Sequence, residues 1–288
     1  FEPTTYDKSR NIAEPHRNVI MVYKLSDGSV FFPSEGKREH GTYDELVGQE
    51  IEVSRCVALR ERLQDVEERL RQACGRSGRL RDDVRIVAVT KYVSARTAEA
   101  VVKEGVTDIG ENRWPDAKPK WEALEGKAVF HYIGSLQTNK AKDVVGKFDY
   151  IHSLDRLPLA EAIQKRAEAL DVRVSCFLQA NVSGELSKHG LEPEAVRSFL
   201  QELRRFDRIR PIGLMTMAPF ESEPEDTRPV FRALRQLRDE LNASSAWDEP
   251  LTELSMGMSN DFDVAVEEGA TWIRLGTVLV GKEDTEEG

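Results

Sequence analysis

Apolar positions along this chain follow two rhythms. From Leu59 they recur at Leu63, Val66, Leu70 and Ala73, in steps of four, three, four and three. That spacing lines one face of a helix, and Gly75 and Gly78 are placed to end it. Short apolar, β-branched runs then appear at 86–90, 107–110, 128–134, 149–154, 173–182, 209–217, 251–256 and 271–280. Each reads as a buried strand. Helical patterns fill the intervals. Ser94 is set to cap a helix ending at Gly105, and Pro115 to open one carrying Trp121 and Leu124. Thr138 or Asn139 would cap the next, and Asp155 with Pro158 would open one through Leu159, Ile163, Ala167 and Leu170. Pro193, then Thr227 with Pro229, then Ser259 are the later start signals.

Eight strands alternating with helices predict an α/β chain folded as a (β/α)8 TIM barrel in a single domain. An open doubly wound sheet is the competitor, and the strand count favours the barrel. Residues 1–52 have a different pattern. Val19–Tyr23 and Val30–Phe32 flank Asp27-Gly28, a hairpin signal. Pro33, Gly36, Gly41 and Gly48 read as loops, and Glu50–Val53 as a short strand. The expected organisation is a short β-rich N-terminal extension over 1–52, a small hairpin unit or a mobile segment, and a barrel over 53–288.

Composition narrows the function classes. The net charge of −10 argues against a nucleic-acid or anionic-membrane partner, which needs a basic face. No apolar run approaches the roughly 20 residues that span a bilayer, and there is no basic-then-apolar leader. Cys56, Cys74 and Cys176 are odd in number and far apart, so they fit neither a disulfide framework nor a metal site. Reduced thiols in a cytoplasmic protein are the expectation.

In such a barrel the chemistry lies at the carboxyl ends of the strands. The first strand ends at Lys91. Either its ammonium snorkels to solvent, or the amine sits in a dry pocket with a lowered pKa, ready for a Schiff base. The last two strands end in Ser255 with Gly257, and Gly276 with Thr277. Hydroxyls and open backbone N–H groups there suit a phosphate; tight turns and helix caps are the plainer reading. Arg274 lies two residues before Gly276, on the same strand face. Its partner would be a cofactor ring nitrogen, or a carboxylate such as Glu111. His131 reads equally as a cofactor neighbour or a hydrogen-bonded core histidine. Lysine, arginine and a phosphate turn together suggest pyridoxal 5′-phosphate (PLP). A sugar-phosphate barrel using the same turns, with Lys91 as a plain cation, is the alternative.

Six ordered motifs carry a resemblance over roughly 55–283. They are Val87-Ala88-Val89-Thr90-Lys91, Gly110-Glu111-Asn112, His131-Tyr132-Ile133-Gly134 with Gln137-Thr138-Asn139-Lys140, Gly213-Leu214-Met215, Leu254–Ser259, and Arg274-Leu275-Gly276-Thr277. The chain resembles the pyridoxal-phosphate homeostasis family, the YggS-type PLP-binding proteins; the extension at 1–52 lies outside that pattern. The resemblance implies an alanine-racemase-like barrel with Lys91 as the Schiff-base lysine. It implies that Ser255, Gly276 and Thr277 hold the phosphate and Arg274 meets the pyridine nitrogen. Asn112 and Met215 would line the cofactor, with His131 near it. No metal and no catalytic residue is implied. The role would be buffering or delivering PLP, with apo PLP enzymes as partners, and a monomer is expected.

A PLP-dependent amino-acid racemase is the enzymatic alternative. Racemisation needs two bases, one on each ring face. In the related racemases a tyrosine from a partner subunit, together with an extra β-domain, supplies the second. The stretch after Thr277 in this sequence is too short for such a domain. The expectation is a carrier without efficient turnover.

Overall fold

In a computed structural model the backbone is described for residues 3–7, 19–24, 30–32, 37–39 and 43–54. Backbone and side chains are described for 55–184, 189–219 and 222–283. The chain divides into two compact units, Phe1–Glu61 with Asp284–Gly288, and Arg62–Glu283. The first contains an antiparallel sheet of β1 (Pro3–Asp7), β2 (Val19–Lys24), β3 (Val30–Phe32) and β4 (Lys37–Glu39), in that order. β2 and β3 pair antiparallel. The Asp27-Gly28 turn and the loops expected at Pro33, Gly36 and Gly41 lie outside the described residues.

The helix expected from Leu59 is longer. α1 runs from Tyr43 to Ser77 and takes in Gly48, Gly75 and the stretch read as a strand at 50–53. Its end is Gly78, at φ +67°, rather than Gly75. Within the second unit, Val66, Leu70, Ala73 and Cys74 form its buried stripe.

The second unit is a closed parallel barrel. Its strands and helices alternate: β5 (Arg85–Val89), α2 (Ala95–Lys103), β6 (Asp108–Glu111), α3 (Trp114–Leu124), β7 (Val129–Tyr132), α4 (Ala141–Val144), β8 (Tyr150–Leu154), α5 (Leu157–Leu170), β9 (Val174–Gln179), α6 (Pro193–Leu203), β10 (Ile209–Met215), α7 (Arg228–Ala243), β11 (Glu253–Ser255), α8 (Phe262–Glu267), β12 (Trp272–Leu275) and α9 (Thr277–Val280). The order around the ring is β10-β11-β12-β5-β6-β7-β8-β9. The barrel expectation holds, with local differences: Thr138 and Asn139, expected as caps, form a 3-10 turn with Lys140, and α4 starts after it at Ala141. The run at 271–280 is a strand only to Leu275 and then turns into α9. Asp261, not Ser259, precedes α8.

Alternate residues of each strand face the interior. Val87, Phe177, Met215 and Trp272 pack together there, so the barrel is filled rather than hollow. α1 is fastened to the barrel's last elements by Arg62, which donates to the carbonyls of Leu279 and Val280 at 2.8 and 3.3 Å. Arg69 pairs with Asp263, and Arg76 with Glu267. These pairs are half-exposed, each worth about 0–1 kcal/mol, so the apolar stripe carries the packing.

Gly213 marks the tightest strand approach. The register between β9 and β10 shifts between Pro211 and Gly213, and a Cβ at Gly213 would overlap the backbone carbonyl of Glu253 on β11. Neither strand can yield without breaking the ring. Gly213→Ala is expected to destabilise by about 3 kcal/mol or more. A urea midpoint matching the parent's would disprove this close contact.

Candidate functional site

Lys91 follows β5 by two residues and continues the inward parity of Val87 and Val89. It is half-buried, not enclosed in a dry pocket. Its Nζ lies 4.8 Å from the centre of the Tyr92 ring, and among the described residues no carboxylate pairs with it. Ser94 starts α2 by accepting the Thr97 N–H. The Glu283 carboxylate accepts from the Ser94 N–H at 2.7 Å and from its hydroxyl at 3.0 Å. The turn that carries Lys91 is therefore pinned just beyond it.

β12 lies beside β5, with Arg274 level with Val87. Gly276 comes next on that face. A Cβ placed there would meet nothing nearer than Val89 Cβ at 3.9 Å and Ser259 Oγ at 4.0 Å, so the space above it is open. The Gly276 N–H donates to Ser259 Oγ at 3.2 Å, which joins the loops after β11 and β12. This explains why Ser259 is not a helix cap. Gly257 turns the first loop at φ +94°, and its Cβ would come within 2.6 Å of Ala265 Cβ. Asp261 closes that loop by accepting the Met258 N–H at 2.6 Å; burial pushes its carboxyl up. Thr277 is exposed at the start of α9.

Arg274 is buried on the inner face of β12. Nη1 donates to Ser255 Oγ at 2.5 Å and Nη2 to the Thr216 carbonyl at 2.9 Å. Burial pushes its pKa down to about 10, against the pull of Asp261, so it stays charged at neutral pH. The carboxylate alternative for its partner fails. Glu111 instead accepts from Lys120 Nζ at 2.7 Å and Thr90 Oγ1 at 2.5 Å. Strand alternation explains this: Asp108 and Gly110 face inward, which turns Glu111 outward towards α3, where Lys120 lies.

Two residues important here were missed in the sequence, His152 and Asp108. His152 Nδ1 lies 2.8 Å from Ser255 Oγ, and its Nε2 lies 2.9 Å from His131 Nδ1. His131 Nε2 lies 2.9 Å from Asp108 Oδ1. Strand parity gave the only sequence signal, since each occupies an inward position. His152 stacks on Phe177 at 4.3 Å and His131 on Tyr150 at 4.7 Å. Burial lowers the pKa of His131, opposed by Asp108. Burial, His131 and Arg274 together hold His152 well below the usual histidine range.

The expected site residues thus fall into two tiers. Lys91, Asn112, Gly276 and Thr277 lie at strand ends or just beyond, all at least partly accessible. Asn112 packs against Gly134, whose added Cβ would strike the Asn112 carbonyl at 2.8 Å. His131, Met215, Ser255 and Arg274 are buried below. Three features leave the mouth fit for an anionic ring carrying a carbonyl: an amine with no described carboxylate partner, an open glycine beside a hydroxyl, and a guanidinium with donors beyond the two in use.

The class of this filled parallel barrel is the alanine-racemase type. The family model of the alanine racemase N-terminal domain matches residues 62–284, and alanine racemase from Clostridium difficile superposes with a TM-score of 0.62 at 16% identity, over 80% of this chain and 60% of that one. That likeness concerns the fold. Closer relatives narrow the class. The pyridoxal phosphate homeostasis protein of Aquifex aeolicus is 43% identical over 77% of this chain and 97% of its own length. PipY of Synechococcus elongatus, solved with PLP bound, is 36% identical over 75% of this chain and all of that one, with a TM-score of 0.65. The chain belongs to the pyridoxal phosphate homeostasis protein family.

The two depressed histidines set an acid limit. Both are neutral in the folded barrel and titrate near pH 6.5 when unfolded. Their contribution is complete above about pH 6.5 and is lost as pH falls, because the unfolded chain then binds protons that the barrel refuses. In the window below about pH 6.5 stability should drop by up to about 1.4 kcal/mol per pH unit for each histidine. Urea unfolding across that window checks this, and a flat profile would show that the rings are not buried neutral.

Proposed function

We propose that this chain binds PLP at the barrel mouth, with Lys91 as the covalent Schiff-base anchor, and serves PLP homeostasis by buffering or delivering it to apo PLP enzymes. The observation that carries the reading is the arrangement on β12. A charged, buried arginine lies directly below an open glycine, on the strand next to the one that leads to Lys91. The family relationship supports the same ligand.

Gly276 and Thr277 are proposed to take the phosphate, with Ser259 bracing the Gly276 loop. Arg274 would donate to the ring nitrogen. Ser255 serves from beneath, because its hydroxyl is engaged by Arg274 and His152. Asn112 lines the ring; Met215 and His131 form the floor. Bound PLP would supply an aldehyde and a ring able to delocalise a carbanion. An arginine donor keeps the ring nitrogen unprotonated, which weakens that delocalisation and suits retention over decarboxylation. Racemisation would further need a second base facing Lys91 across the ring. We also propose a cytoplasmic monomer: Cys56, Cys74 and Cys176 are free, and among the described residues no helix is long and apolar enough to cross a membrane.

The test is spectroscopic. Purified protein given PLP should show a visible imine band, bleached by borohydride with the label retained on the Lys91 peptide; Lys91→Ala should show neither. A colourless protein that ignores PLP would favour the sugar-phosphate alternative. Racemisation of alanine, serine or glutamate at about 1 s⁻¹ or faster would overturn the carrier reading.

Thr277→Val keeps the shape and removes the hydroxyl. It should weaken PLP retention about tenfold, the worth of one hydrogen bond to a charged group, while borohydride trapping at Lys91 persists. Unchanged retention in equilibrium dialysis would remove Thr277 from the phosphate site.

A further inference from the structure

A polar thread crosses the barrel interior and ends at Arg274. Asp108, His131, His152, Ser255 and Arg274 come from β6, β7, β8, β11 and β12. The links measure 2.9, 2.9, 2.8 and 2.5 Å in that order. His131, His152, Ser255 and Arg274 are all buried, and Asp108 is partly exposed.

One proton arrangement satisfies every link. A guanidinium only donates and a carboxylate only accepts. Arg274 therefore donates to Ser255 Oγ, and the Ser255 hydroxyl donates onward to His152 Nδ1. His152 carries its proton on Nε2 and donates to His131 Nδ1. His131 carries its own on Nε2 and donates to Asp108. Reversing the middle of the thread would set the bare Nε2 lone pair of His131 against the Asp108 carboxylate. The other escape is an imidazolium inside the barrel, which burial opposes.

We propose that His131 and His152 are positioning residues that act through Ser255 to hold the Arg274 guanidinium towards the ring nitrogen of the ligand. This rests on the PLP reading above. The physical reason is the hydroxyl rotor. A free serine hydroxyl can turn its proton towards any acceptor and its lone pairs away from the arginine. With its proton committed to His152, Ser255 keeps its lone pairs on Arg274 Nη1. The Thr216 carbonyl holds Nη2. Two fixed acceptors define the plane of the fork, and its remaining donors point where the plane dictates. Asp108 gives the thread its direction, since an acceptor-only end fixes the tautomer of each histidine in turn.

The test separates the ring nitrogen from the rest of the ligand. The full chain is dialysed against PLP and against its 1-deaza analogue, which keeps aldehyde and phosphate but has CH in place of the nitrogen. The parent should prefer PLP about tenfold, the value of one hydrogen bond from a charged donor. Arg274→Met should abolish the preference. His152→Phe, which retains a ring against Phe177, should abolish it too and add nothing in the Arg274→Met background. His152→Asn, whose amide oxygen can stand in for Nδ1, should recover part of the preference that His152→Ala lacks; a loss of packing alone would show no such rescue. If the phenylalanine variant does not fold, Ser255→Ala carries the same expectation. Histidine and serine variants that keep the preference while Arg274→Met loses it would overturn the proposal and leave the PLP reading standing. A parent that binds both ligands equally would overturn the proposal together with the placement of Arg274 at the ring nitrogen.

Discussion

A guanidinium inside a barrel is the constraint on which this site depends. Removing such a charge from water costs several kcal/mol even after the protein relaxes. The barrel offsets that cost with two direct acceptors, the Ser255 hydroxyl and the Thr216 carbonyl. Neither is charged. Asp261, whose field also acts on Arg274, is itself pushed towards protonation by burial. The compensation is therefore spread through dipoles and a chain of neutral rings down to Asp108. Such an arrangement leaves the guanidinium with donors beyond the two in use, which a ligand acceptor would suit on the proposed reading.

Strand alternation decides what can take part. On β12 the inward positions are Trp272, Arg274 and then Gly276. The sequence from bulk, to charge, to no side chain at all builds a floor, a donor and an opening along one strand. On β5 the same parity runs through Val87 and Val89 to Lys91. Because β5 and β12 are neighbours, Lys91 and the open glycine belong to one side of the mouth. Glu111 shows the converse. One residue away from Gly110 in parity, it is turned to the outer face and neutralises Lys120 instead of Arg274. A shift of one residue in β6 would exchange those roles.

Most of the barrel was legible in the sequence because its signals are local. Buried parallel strands are continuous apolar runs, and Ser94, Pro115, Pro158, Pro193 and Pro229 mark helix starts through properties of single residues. Lys91 and Arg274 stood out because charge next to such runs needs a reason. The misreadings also have physical causes. In residues 43–58 of α1 the alternating Glu50-Ile51-Glu52-Val53 and the glycine at 48 mimic a strand and a loop, which masks the helix. Thr277–Val280 is a four-residue apolar turn of helix composed like a strand. His152 was invisible for a different reason. Its role lies in contacts with His131, Phe177 and Ser255 on three other strands, and no spacing along the chain encodes which strands will close beside one another.

The two tiers of the site imply a division of labour. On the proposed reading, covalent capture would fall to the accessible rim, where the half-buried Lys91 could meet an aldehyde without the barrel opening. Recognition would fall to the buried tier, where Arg274 is held by the Ser255 hydroxyl and the Thr216 carbonyl. Such an order would suit the proposed carrier. With the amine at the rim, attachment can reverse by exchange with water or another amine. The buried donors would then select the aldehyde that is retained.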